Sequence, residues 1–94
     1  MKKRNRNCKK NLESRIAQIT ALSVRVKQQG KHDVYVRYSS IYDGFEVDIF
    51  IGGYKNKFPG NYNWCLWLNS SRSIFKSLSQ IRAKLNSLLA EGRR

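Results

Sequence analysis

The chain contains one histidine, His32. Any general acid–base step at neutral pH would have to run through it, because imidazole alone ordinarily titrates in that range. It stands between Lys31 and Asp33, just past Gly30. Glu46 and Asp48 lie two residues apart in an alternating run, so both project from one strand face. That spacing suits a divalent ion or a shared proton. It also suits a surface charge pair, with Arg37 diagonal to Asp48 on the neighbouring strand. Cys8 and Cys65 make no disulfide framework, and with His32 they fall short of the four ligands a structural zinc requires. No metal and no cofactor are expected. Gly52-Gly53 lacks both the Lys-Ser/Thr of a phosphate loop and the spacing of a dinucleotide fingerprint. No serine occupies a G-x-S-x-G elbow, and Cys65 has no base near it in sequence. Binding chemistry is more legible. In GGYKNKFPGNYN, residues 52–63, Tyr54, Lys55, Lys57, Phe58 and Tyr62 interleave rings with ammonium groups. Ammonium groups neutralise phosphates, while exposed rings offer stacking faces to unpaired bases.

Charge points the same way. Nineteen Lys and Arg oppose six Asp and Glu in 94 residues, a formal net of +13. Residues 1–10 hold Lys2, Lys3, Arg4, Arg6, Lys9 and Lys10 and no acid. Such a block repels itself and has nothing apolar to anchor it, so it reads as a disordered basic interaction arm. A balance this far from neutrality bears on partners and solubility, and polyanions are the natural partners, nucleic acid first. No apolar run approaches the ~20 residues of a membrane span. The basic start is not followed by an apolar segment, so no secretory leader is expected. Two reduced thiols suit the cytoplasm.

The elements that would position these groups follow from periodicity. Asn11 is a candidate cap for a helix from about Leu12 to Gln29, with Leu12, Ile16, Ile19 and Val26 at helical spacing and Gly30 as its stop. Leu22, Val24 and Val26 also alternate as a strand would, so residues 22–28 are open to either reading. From Asp33 to Gly53 two alternating runs flank Asp43-Gly44, the signature of a two-residue hairpin turn. Folded there, Tyr42 opposes Phe45, Ser40 opposes Val47, Tyr38 opposes Ile49 and Val36 opposes Ile51, all on one face that needs a cover. The other face, with Arg37, Ser39, Ile41, Glu46, Asp48 and Phe50, is expected to be mostly wet. Tyr62, Trp64, Leu66 and Leu68 alternate as a third strand, leaving Trp67 on the wet face. Ser70 or Ser71 can cap a last helix whose stripe is Ile74, Leu78, Ile81, Leu85 and Leu88, widened by Phe75 and Leu89 and stopped by Gly92. That stripe is the natural cover for the hairpin. Arg72 and Lys76 lie on its far side.

The stretch VRVKQQGKHDVYVRY, residues 24–38, resembles the strand–turn–strand of HicA-type mRNA interferase toxins, which are small basic α-β-β-β-α domains. The resemblance covers these residues and the element order, and Lys31 departs from the small hydroxyl residue that family tends to carry. It implies His32 as a general base acting on a ribose hydroxyl. The element order is also similar to double-stranded-RNA-binding domains, without their lysine-rich motif at the last helix. The hairpin, third strand and helix look like the three-stranded DNA-binding arms of phage integrases. A basic arm, sheet and helix in one short chain is similar in layout to some phage-encoded inhibitors of CRISPR nucleases. These last three rest on layout, and fold does not imply function.

The sequence therefore predicts a single α+β domain over residues 11–94, of α-β-β-β-α order. Its three-stranded antiparallel sheet is covered by a C-terminal amphipathic helix and preceded by the arm at 1–10. The function expected is non-enzymatic nucleic-acid binding, RNA or DNA, with weak sequence preference and no membrane partner. It suits an accessory protein of a phage or mobile element, in the cytoplasm of a bacterial host. The residues expected to bind are the six arm bases with Tyr54, Lys55, Lys57, Phe58, Trp67, Arg72 and Lys76. Two alternatives are an inhibitor that binds a host ribonucleoprotein such as a CRISPR nuclease, and an RNA-cleaving toxin using His32.

Overall fold

The apolar stripe of the last helix decides the architecture. A computed structural model describes residues 2–69 and 73–92, with side chains from residue 11 onward. Its elements are α1 (Lys2–Gln28), β1 (Asp33–Ser39), β2 (Gly44–Phe50), β3 (Tyr62–Trp67) and α2 (Ile74–Gly92). On α2 the residues Ile74, Leu78, Ile81, Leu85, Leu88 and Leu89 are all buried. Burial of side chains this size is worth roughly 1.5–3 kcal/mol each, so this one stripe is a major share of the driving force in so short a chain. The expected caps Ser70 and Ser71, and Arg72 beside them, lie outside the described residues.

α1 settles residues 22–28 in favour of helix. Ile19, Leu22 and Val26 are buried, whereas Val24 is 53% exposed. A strand would have put Leu22, Val24 and Val26 on one face. The helical period wins because it adds Leu22 and Val26 to Ile19 against the same core. Ser23, on the buried side, donates its hydroxyl to the Ile19 carbonyl at 2.8 Å and so leaves no unpaired group there. Gly30, at φ +78, ends the turn, its N–H bonded to the Lys27 carbonyl at 2.9 Å. The helix begins at Lys2, ahead of the expected cap Asn11. The side chains of residues 1–10 fall outside the described residues.

The sheet has the order β1-β2-β3 with both pairings antiparallel. One face carries Val34, Val36, Phe45, Val47, Ile49, Trp64 and Leu66, and both helices pack on it, α1 above β1 and α2 above β3. The cover is thus a pair of helices, not α2 alone. They are joined by Arg15, whose guanidinium lies 5.0 Å from the Phe75 ring centre and donates to Ser79 Oγ at 3.3 Å. Gln29 donates to the Leu89 carbonyl at 3.2 Å, close beside Gly92, where a Cβ would land on the Gln29 amide.

The hairpin register differs from the expected one. Ser39 pairs with Gly44 and Tyr38 with Phe45, so the connection is the four-residue loop Ser40–Asp43. The type I′ two-residue turn that Asp-Gly favours needs two successive positive-φ residues. Here Asp43 takes that conformation, at φ 50, while Gly44 begins the strand. The Asp43 carbonyl accepts the Leu68 N–H at 2.8 Å and its carboxylate accepts from the Tyr38 hydroxyl at 3.2 Å, which fixes the turn. The change pairs Val34 with Ile49 in the core instead of leaving it opposite Gly53. Because the slip is even, each side chain keeps the face expected of it. Among the described residues no helix is long and apolar enough to cross a membrane.

Candidate nucleic-acid interface

The face of the sheet turned away from the helices carries Tyr35, Arg37, Glu46, Asp48, Phe50, Asn63, Cys65 and Trp67, by strand alternation from the register. The sequence predicts a mostly wet surface here, yet Asp48 and Phe50 are buried. The cause is the loop between β2 and β3, which folds back over that end of the face. Gly52 and Gly53 turn the chain with φ +82 and +109, values that favour glycine. The Gly52 N–H then donates to His32 Nδ1 at 2.9 Å, and the Tyr54 N–H to Asp33 Oδ2 at 2.7 Å. At the return, Asn61 Oδ1 accepts the Ile51 N–H at 2.9 Å. Asp48 Oδ1 accepts both the Gly60 N–H and the Asn63 amide, each at 2.9 Å. A Cβ at Gly60 would sit 2.6 Å from the Ile49 carbonyl oxygen, so only glycine allows the loop to lie this close.

The latches set four rings together. Phe50 forms the floor, with Tyr54 and Phe58 edge-on to it at centroid distances of 5.1 and 5.2 Å. Tyr35 meets Phe58 at 5.1 Å, and Tyr54 meets Phe58 at 5.4 Å. These are favoured aromatic geometries, worth roughly 0.5–1.5 kcal/mol per pair beyond area burial. Asp33 is held by Lys27 at 2.7 Å. The Lys27 ammonium, and then the Tyr54 N–H, hold its carboxyl below the usual aspartate range. Lys55 and Lys57 are exposed at the loop tip beside a recess of about 280 Å³ that Pro59 and Asn61 also line. Neither forms an ion pair among the described residues.

The other end of the same face is built differently. Trp67 is largely exposed and lines a shallow groove of about 130 Å³ with Arg37, Glu46 and Cys65. Arg37 Nε lies 4.0 Å from Glu46 Oε1, its cross-strand partner, so the charge pair on this face is Arg37 with Glu46 and not with Asp48. Burial first, and then the Glu46 charge, push the Cys65 thiol up, which opposes the thiolate form a nucleophile needs.

The residues singled out from sequence are only partly brought together. Tyr54, Lys55, Lys57 and Phe58 share the loop, and Trp67 shares the face. Tyr62 does not: it turns to the helix side, stacked on Trp64 at 6.3 Å with Lys84 Nζ 4.2 Å above its ring. Lys76 is exposed on α2, across the molecule from the open face. The side chains of Lys2, Lys3, Arg4, Arg6, Lys9 and Lys10, and Arg72, lie outside the described residues. His32, just ahead of β1, is buried. Its Nδ1 lone pair takes the Gly52 N–H, which places the proton of the neutral ring on Nε2. Nε2 is buried with no partner among the described residues. A ring held this way props the loop and has no lone pair directed at a substrate. Tyr35, Phe50 and the latching groups Asp33, Gly60 and Asn61 are not marked by sequence pattern. Asp48 alone carries a signal: an acid inside the apolar run Val47-Asp48-Ile49-Phe50 is disfavoured in a strand unless it has a buried role.

No family model, curated protein or solved structure matches this chain.

Proposed function

We propose that the protein binds nucleic acid without cleaving it, through phosphate contacts from its lysines and arginines and ring contacts from the open face. The observation that carries this reading is the latched 51–61 loop, which holds Tyr54 and Phe58 half-exposed beside Lys55 and Lys57. A net charge of +13 supplies the long-range attraction such a surface needs. Among the described residues, no arrangement of side chains on the face resembles a base-edge code, and weak sequence preference goes with that. The setting proposed is the cytoplasm of a bacterial host, as an accessory of a phage or mobile element. The burial of His32 weighs against the RNA-cleaving alternative.

The test is fluorescence anisotropy of labelled RNA and DNA over a salt series, with the whole chain and with Lys55→Ala/Lys57→Ala. The reading expects affinity to fall steeply with salt, and the double variant to flatten the log–log slope by about one unit for every phosphate no longer neutralised. Negligible binding at about 150 mM salt, near the ionic strength of cells, would overturn it. Capture of a host ribonucleoprotein under those conditions would put the inhibitor reading in its place.

A further inference from the structure

Resting on the nucleic-acid reading, we infer that the open face takes a single strand, not a duplex, laid between two ring platforms: Tyr35, Tyr54 and Phe58 at one end and Trp67 at the other. Tyr35 is 38% exposed, Tyr54 45%, Phe58 50% and Trp67 58%. Rings offer binding energy to nucleic acid by stacking, and stacking needs bases whose faces are free. A duplex hides those faces in its own stack and presents phosphates and groove edges. Four exposed rings on one open face therefore favour an unpaired strand.

The spacing is compatible with one strand touching both platforms. Phe50, the floor of the first, and Gly44, the cross-strand partner of Trp67, are the two ends of β2. Six residue steps along the strand separate them, about 20 Å. A strand rising ~3.4 Å per nucleotide when stacked, and up to about twice that when drawn out, covers the gap with roughly three to six nucleotides.

Charge fits the same occupant. Two acids of this face are paired with bases, Asp33 with Lys27 and Glu46 with Arg37, while Asp48 is withdrawn beneath the loop, its Oδ1 accepting two N–H donors and its Oδ2 buried without a partner among the described residues. Lys55 and Lys57 are left to meet phosphates at one platform. Arg37, 59% exposed and only loosely held by Glu46 at 4.0 Å, stands between the platforms on β1. It would exchange that pairing for a phosphate of the crossing strand.

The experiment measures oligouridylates of increasing length, and a duplex of equal charge, against the whole chain at about 0.3 M salt, where phosphate-only binding weakens. Affinity is expected to rise steeply up to roughly three to six nucleotides and slowly afterwards. Trp67→Ala should weaken the longer oligonucleotides about tenfold and leave the shortest unchanged. Phe58→Leu, which keeps the apolar packing and removes the ring, should weaken all lengths. Duplex and single strand bound equally, with Trp67→Ala without effect, would overturn this inference and leave the phosphate reading standing. Binding of neither would overturn both.

Discussion

The two faces of the sheet are closed by different physics. The helix side is sealed by apolar side chains: Val47, Ile49 and Phe45 meet Leu78, Ile81 and Leu85 with almost no accessible surface left. The other side is closed over half its length only, by a loop whose position depends on a few polar bonds to Asp33, His32 and Asp48. Hydrophobic contact is tolerant of small shifts, because it scales with area. A hydrogen bond to a buried carboxylate is directional, and losing it leaves a desolvated group behind. Loss in the core should therefore scale with the apolar volume removed, whereas the loop should fail at single hydrogen bonds.

Substitutions separate the two. Leu78→Ala or Ile81→Ala should cost about 2–5 kcal/mol and approach complete unfolding in so small a domain. Urea denaturation checks this, and undiminished stability would contradict the packing of helix on sheet. On the other face, Gly60→Ala forces its Cβ toward the Ile49 carbonyl, and the backbone must move. A cost of about 1–3 kcal/mol is expected, with loss of amide protection over the loop while α2 keeps its own. Asp48→Ala unpairs the Gly60 N–H and the Asn63 amide, for about 1–3 kcal/mol. Equal loss of protection in loop and helices would show that the two closures are not separable.

Acid gives a smaller, local effect. The folded Asp33 carboxyl titrates below its unfolded value, so its contribution is present above about pH 3.9 and is lost as pH falls through the lower folded value. The Tyr54 amide should then exchange faster at low pH in the native chain than in Asp33→Asn, whose tether does not titrate. The smallest effect belongs to Trp67→Ala. With its ring 58% exposed, this variant should lose less stability than Leu78→Ala or Gly60→Ala, and urea denaturation beside the binding assay tells a missing ring from a damaged fold.

The difference between the faces also explains what the sequence discloses. The α2 stripe and the parity of β1, β2 and β3 are legible, since both come from periodicity against one apolar core. The helix over residues 22–28 is ambiguous because Leu22, Val24 and Val26 satisfy both periods, and packing with Ile19 and the sheet decides it. The hairpin register is hidden for a local reason: Asp43-Gly44 signals a tight turn, but pairing Val34 with Ile49 outweighs it. The aromatic cluster is half legible. Tyr54 and Phe58 announce themselves in a Gly/Pro loop, while Tyr35 and Phe50 join them only through the fold-back. That fold-back rests on bonds between residues 10 to 21 positions apart, which no local pattern encodes.

The most direct test of the central claim is a titration of isotope-labelled protein with a short single-stranded oligonucleotide, followed by nuclear magnetic resonance. Shifts concentrated on Tyr35, Arg37, the 54–58 loop and the Trp67 indole N–H, with the outer faces of α1 and α2 quiet beyond residue 11, are the expected result. Shifts confined to the helices, or none at the open face under conditions where binding occurs, would contradict it.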